Sequence, residues 1–196
     1  MAGRARDDRI DAAVLIAARE LLSENGYAEL SIGGVATRSG IHRPAIYRRW
    51  PSKRHLVVAV VADLLGLRPT ANTGDLRADL TAAMRDLVAA LRDTSLDRVL
   101  PALLADLGND PELREHFLAT VFEPRRQTTE IALRAAVRRG EVRPDIDMDF
   151  VLDAVAAPIY FRALFGHLPL DDELAEASVD AVMRLVAAGD GTGRLP

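Results

Sequence analysis

The chain has 196 residues and no cysteine, which excludes disulfide scaffolds, thiol catalysis and cysteine-ligated zinc. With 49% hydrophobic and 28% charged residues it has the composition of a globular protein, not a disordered one. Its net charge of −4 is unevenly spread, because residues 1–55 carry ten Arg and Lys against six Asp and Glu while residues 56–196 carry fifteen against twenty-three; a polyanionic partner is therefore expected at the front only.

Helical periodicity dominates from the start. Ile10, Ala13, Val14, Ala17, Leu21 and Leu22 form one apolar stripe, and Asn25-Gly26 supplies a left-handed stop. Ser31 is the expected N-cap of a short second helix through Arg38, weakened by Gly33 and Gly34. Gly40 ends that helix. A third begins near His42–Pro44, where proline suits a first turn, and runs to Arg49 or Trp50 before Pro51. Ser52 caps a fourth helix carrying Leu56, Val57, Val60, Val61 and Leu64.

The run from Arg68 to Gly74 is the clearest break in the chain. Beyond it, helices are expected over Leu76–Leu91, over Leu96–Leu107 with a kink at Pro101, over Pro111–Arg139 with a bend or split at Pro124, and over Asp149–Gly166 and Asp171–Ala188. Gly189–Pro196 reads as a frayed tail. The fold class is thus all-α, with about nine helices.

Between Glu29 and Asp63 there is no acid, yet Arg38, Arg43, Arg48, Arg49, Lys53 and Arg54 all fall in that gap. A short helix, a glycine turn and a basic third helix describe a helix-turn-helix, whose second helix enters the major groove of duplex DNA with its N-terminal residues on base edges. Carboxylates there would face phosphate. Arg43 can make a bidentate guanine contact, and Pro44 and Ala45 suit a thymine methyl, so these three are the expected base readers. Ser31, Tyr47, Arg49 and Lys53, the only lysine of the chain, are the expected phosphate contacts, with His42 and Arg48 as further candidates. Trp50 is expected in the core.

The run "LSIGGVATRSGIHRPAIYRRWPSKRHL" resembles the DNA-binding domain of the tetracycline-repressor family. The shared pattern rests on Val35-Ala36, Gly40-Ile41, Tyr47, Trp50, Lys53 and Leu56, preceded by Asn25-Gly26-Tyr27 and Ser31. Gly33-Gly34 and Pro44 depart from it. The resemblance implies a sequence-specific, ligand-responsive repressor acting as a homodimer, with a helix-turn-helix domain over 1–55, a linking helix over 52–66, and a ligand-binding and dimerisation domain over 56–196. For the dimer face the last two helices offer Val151, Val155, Ile159, Leu164 and Phe165, and Leu174, Val179, Val182, Leu185 and Val186. Met84, Leu87, Phe117, Phe122, Tyr160 and Phe161 are candidate lining for the pocket of an unknown small-molecule effector.

Other chemistries find no support. Asp145–Phe150 opens like a calcium loop but has Phe150 where glycine is needed and Ala156 where glutamate is needed, so it reads as an N-cap cluster. The tail "GDGTG" imitates a phosphate loop with no strand before it. His42, His55, His116 and His167 lack ligand spacing, and no nucleophile elbow is present. No catalysis, cofactor or metal is expected. Val151–Leu170 is interrupted by Asp153, Arg162 and His167, and the N-terminus lacks a secretory pattern, so a cytoplasmic protein with no membrane partner is expected. The rival readings are an architectural protein that coats DNA without a defined site, and a helical enzyme or carrier whose basic front is incidental.

Overall fold

The computed structural model of the protein describes residues 2–187, with side chains from residue 7. The expected frayed tail and the residue closing the last helix, Ala188, lie outside them. The helices are α1 (Ala2–Glu29), α2 (Ile32–Ser39), α3 (Arg43–Tyr47), α4 (Lys53–Leu65), α5 (Leu76–Arg92), α6 (Leu96–Asn109), α7 (Pro111–Phe117), α8 (Glu123–Arg139), α9 (Met148–Phe165) and α10 (Asp172–Val186). A π-helical segment, Leu118–Phe122, joins α7 to α8 without a break. Counted as one run of sequence, these give the expected nine among the described residues. An isolated bridge between Val142 and Ala187 is the one β-type pairing there.

The stops and caps follow from the residues. Gly26 breaks α1 at φ 78°, a region that a side chain would resist. Pro124 has no N–H to give and crowds the carbonyl four residues back, and the widened turn just before it relieves both problems. Asp147 accepts the Phe150 N–H (3.1 Å) and Asp171 the Leu174 N–H (3.0 Å), so the Asp145–Phe150 cluster does cap a helix.

The chain forms two compact units, one of residues 1–66 and 93–122, the other of 67–92 and 123–196. The segment expected to bind DNA, 1–55, lies wholly in the first unit, which also takes in α6, α7 and the π segment. There α1 packs on α2, α4 and α6, and α4 also packs on α6, α7 and the π segment. Val14, Leu22, Val35, Ile46, Leu56, Leu103 and Leu113 are buried in it. In the second unit α5 packs on α8, α9 and α10 around Leu80, Leu87, Leu133, Ile159 and Val179. The buried Ser178 hydroxyl donates to the Val155 carbonyl (2.7 Å), tying α10 to α9.

In the first unit, His55 of α4 and His116 of α7 lie with ring centroids 5.0 Å apart. Ser52 Oγ holds His55 Nδ1 at 2.9 Å, and Thr120 Oγ1 lies 3.4 Å from His116 Nδ1. Burial, and then the neighbouring His55, lower the pKa of His116. A histidine whose folded pKa is depressed binds its proton more readily in the unfolded chain. Stability is therefore complete above pH of about 6.5 and declines as pH falls toward the lower folded value. Denaturant titrations between pH 5 and 8 should show this loss in the wild type and a flatter profile in His116→Gln.

Candidate nucleic-acid interface

The sequence around α2 and α3 builds one outward face. Ser31 Oγ accepts the Gly34 N–H (3.1 Å) and starts α2. Gly40, at φ 70°, turns the chain back through a left-handed residue. His42 is extended, and its carbonyl accepts the Ala45 N–H (2.9 Å), so that Pro44 sits in a first turn where no N–H is missed. The third helix is shorter than expected, ending at Tyr47; Arg48 and Arg49 form a turn whose N–H groups reach the Pro44 and Ile46 carbonyls.

Ile46 and Trp50 anchor this face, with Ile46 fully buried and Trp50 8% exposed. Fixing these two points His42, Arg43, Pro44, Tyr47 and Arg48 to the surface, with Ala45 half-buried between them. Beside them runs a shallow cleft of about 340 Å³ lined by Gly33, Ala36, Thr37, Gly40, Ile41, His42 and Arg43.

The six cations of the acid-free stretch divide sharply. Arg38 pairs with Glu24 (2.8 Å) and Glu20 (3.2 Å) of α1. The Arg38 hydrogen bond holds the Glu24 carboxyl below its usual range. Arg54 reaches Asp106 (3.1 Å) and Asp110 (3.5 Å) on the α6 side. Asp106 also accepts the Tyr27 hydroxyl, and burial followed by this carboxylate pushes the Tyr27 pKa well up.

Arg49 has partners within the unit. Expected to clamp phosphate, it bonds Asp7 and Asp11 of α1 and the Ala45 carbonyl (3.2 Å), and its side chain is only 14% exposed. Lys53 donates to the Tyr27 and Ala28 carbonyls (3.0 and 3.1 Å), with its ammonium 5.0 Å from the Tyr27 ring. Arg43 and Arg48 have no ion pair among the described residues. These two remain as the outward positive charge of α3 and its C-terminal turn.

Of the other expected contacts, Tyr47 is 49% exposed and Ser31 lies at the surface with its oxygen engaged as a cap. Arg38 and Arg54 were not singled out, and their acidic partners lie 14 to 56 positions away in sequence, where no local pattern signals them.

The expected dimer face also needs correction. Val151, Val155, Ile159, Val179, Val182 and Val186 are all buried in the second unit's own core, as is Leu174. The exposed large apolar residues of the same helices are Phe150 (58%) near the start of α9, Phe161 (55%) and Phe165 (68%) near its end, and Leu185 on α10. Phe161 stacks on Phe165 at 4.7 Å and meets His167 edge-on at 5.3 Å.

The candidate pocket residues are likewise divided. Phe117 and Phe122 belong to the first unit and the other four to the second. Met84 and Leu87 are core of α5, while Phe161 faces outward. Tyr160 is half-buried, and burial raises its pKa against the opposing charge and hydrogen bond of Arg125. Among the described residues no cluster suits a metal ion, and no helix is long and apolar enough to cross a membrane.

Comparison with known proteins gives concordant matches. The family described as "Bacterial regulatory proteins, tetR family" matches residues 14–60, and "Tetracyclin repressor-like, C-terminal domain" matches residues 70–182. The chain is 31% identical over 184 residues to the DNA-binding transcriptional repressor TetR of Mycobacteroides abscessus, covering 91% of this chain and 94% of that one. It is 26% identical over 192 residues to the uncharacterized HTH-type transcriptional regulator YdeS of Bacillus subtilis, covering 97% and 96%. Among solved structures, the TetR family transcription regulator SCO0332 superposes with a TM-score of 0.74 at 32% identity, over 91% of this chain and 98% of that one.

Adjacent arginines should therefore behave differently. Arg49→Ala should cost about 1–2 kcal/mol of stability in denaturant unfolding, since it frees two carboxylates from a charge-assisted, partly screened pair. Arg48→Ala should leave stability within about 0.5 kcal/mol and weaken DNA binding in an equilibrium titration.

Proposed function

The chain belongs to the tetR family of bacterial regulatory proteins and is a helix-turn-helix transcriptional regulator that binds DNA, and on that premise we propose that it is a ligand-responsive repressor acting as a homodimer on a pseudo-palindromic operator. Residues 1–55 carry DNA binding, the helix over 52–66 links the two functions, and the part beyond residue 55 carries effector binding and dimerisation. The protein works in the cytoplasm.

The observation that carries this reading is the division of charge. Three arginines of the basic stretch are neutralised internally, and Arg43 and Arg48 stand unpaired beside Pro44 and Ala45. Arg43 reads a base edge, with Pro44 and Ala45 supplying apolar contact. Tyr47, Arg48 and Ser31 meet the sugar-phosphate backbone, and His42 lies at the edge of that contact. Lys53, held on carbonyls of the α1 end, presents its remaining N–H to phosphate.

For assembly, we infer that the exposed Phe161, Phe165 and Leu185 meet their counterparts on a second copy. Two apolar rings in water on α9 and an exposed leucine on α10 favour these residues over the buried valines. An effector enters the helical second unit, where Tyr160 and Arg125 offer a polar pair for orienting it.

Selection of binding sites from random duplex DNA tests the reading. One palindrome should be recovered, with half-sites about 34–36 Å apart or separated by further whole turns. Binding with no enriched sequence would instead mark an architectural protein, and absence of binding to any duplex would sink the DNA-reading assignment of α3. On the selected site, Arg43→Ala should lose about 1–3 kcal/mol of discrimination at particular base pairs. Lys53→Ala should weaken all sequences alike and reduce the salt slope by about one. Phe165→Asp should sediment as a monomer and lose the palindrome; a dimer surviving this change would remove the phenylalanine face from the interface.

A further inference from the structure

Gly33 sits inside α2 with an ordinary helical backbone, not among the glycines at positive φ. No turn requires it, and glycine weakens a helix relative to alanine. Gly34 beside it is also helical, and the two differ in what their missing side chains leave room for. A Cβ at Gly34 would meet Ser31 Oγ at 3.4 Å and Leu21 Cδ1 at 3.7 Å, which is ordinary contact. A Cβ at Gly33 would lie 2.6 Å from Arg43 Nη2, 3.2 Å from Cζ and 3.5 Å from Nε. The Arg43 guanidinium rests in the space that glycine leaves on α2.

That placement bears on recognition. Arg43 is exposed and has no acid partner to fix it, and a long side chain free in water must surrender its rotamer freedom on contact with a base. A bidentate contact also demands that the planar guanidinium fork arrive in one orientation. Resting against α2 at the edge of the cleft restricts that orientation before DNA arrives. We propose that Gly33 is a specificity-determining position, acting by letting the base-reading guanidinium of Arg43 lie against α2. This rests on the assignment of Arg43 as a base reader.

A methyl group at Gly33 displaces the mobile end of a side chain and no backbone, so the fold survives while the guanidinium moves. Gly33→Ala should therefore separate stability from recognition. Helix propensity should raise Tm by about 2–4 °C, while discrimination at the base pair read by Arg43 should fall about tenfold. Gly34→Ala, which touches nothing of Arg43, should give a similar rise in Tm and keep the wild-type preference.

The experiment is site selection followed by titration of every single-base variant, for wild type, Gly33→Ala, Gly34→Ala, Arg43→Ala and the Gly33→Ala/Arg43→Ala pair. Support is a loss in Gly33→Ala at the same base pair as in Arg43→Ala, with no further loss in the pair. A Gly33→Ala protein with wild-type preference overturns the proposal. So does one that weakens every sequence by the same factor, since the glycine would then only admit a phosphate. If wild type selects a site and Arg43→Ala reads it unchanged, Arg43 is no reader and Gly33 loses its role. If wild type selects nothing, the DNA-reading assignment itself fails.

Discussion

A helix of five residues cannot sustain itself in water, because nucleation fixes several backbone angles for a single hydrogen bond. α3 is such a helix, and what holds it is outside it. Ile46 and Trp50 sink into the core, Gly40 delivers the chain at the right angle, and Arg49 is gripped by Asp7 and Asp11 of α1. The residues that meet solvent on α3 are thus aimed by tertiary packing. The direction of the outward α3 side chains is therefore a property of the whole first unit.

The same unit sorts its charges. Leaving six unpaired cations on one small surface would set them against one another, and the structure lowers that repulsion by giving Arg38, Arg49 and Arg54 carboxylate partners from α1 and from the α6 side. The pairs also brace α2 and α4 against their neighbours. Arg43 and Arg48 keep an unshared charge, and in the second unit acids outnumber bases. A basic stretch in sequence is therefore partly a structural brace and partly a contact surface.

Local signals were well legible in the sequence. The cap at Ser31, the left-handed glycines at 26 and 40, the buried Trp50 and the capping role of the Asp145–Phe150 cluster depend on residues within a few positions of one another. What distant segments do was not. Nothing near Arg49 announces Asp7 and Asp11, so its charge looked available for phosphate. The valines of α9 and α10 show the related ambiguity: periodicity tells which side of a helix is apolar, not whether its cover comes from the same chain or another. Here the cover is the unit's own core, and Phe161 and Phe165 are among the residues left uncovered. Gly33 looked like a weakness of α2 because the residue that uses its emptiness is ten positions away on another helix.

The first unit is built from two separate pieces of chain, residues 1–66 and 93–122, and this shapes how it comes into being on the ribosome. α1 to α4 emerge first, but α6, α7 and the π segment, which complete the cover of α4, are synthesised only after the whole of α5 has passed. At roughly 5–20 residues per second, the delay between residue 66 and residue 122 amounts to about 3–11 s. During that interval α4 can pack on α1, and the part of its apolar surface that meets α6, α7 and the π segment has no native cover. The outward face of α3 is encoded within the first fifty residues, yet the unit that holds it is complete only when residue 122 has cleared the exit tunnel.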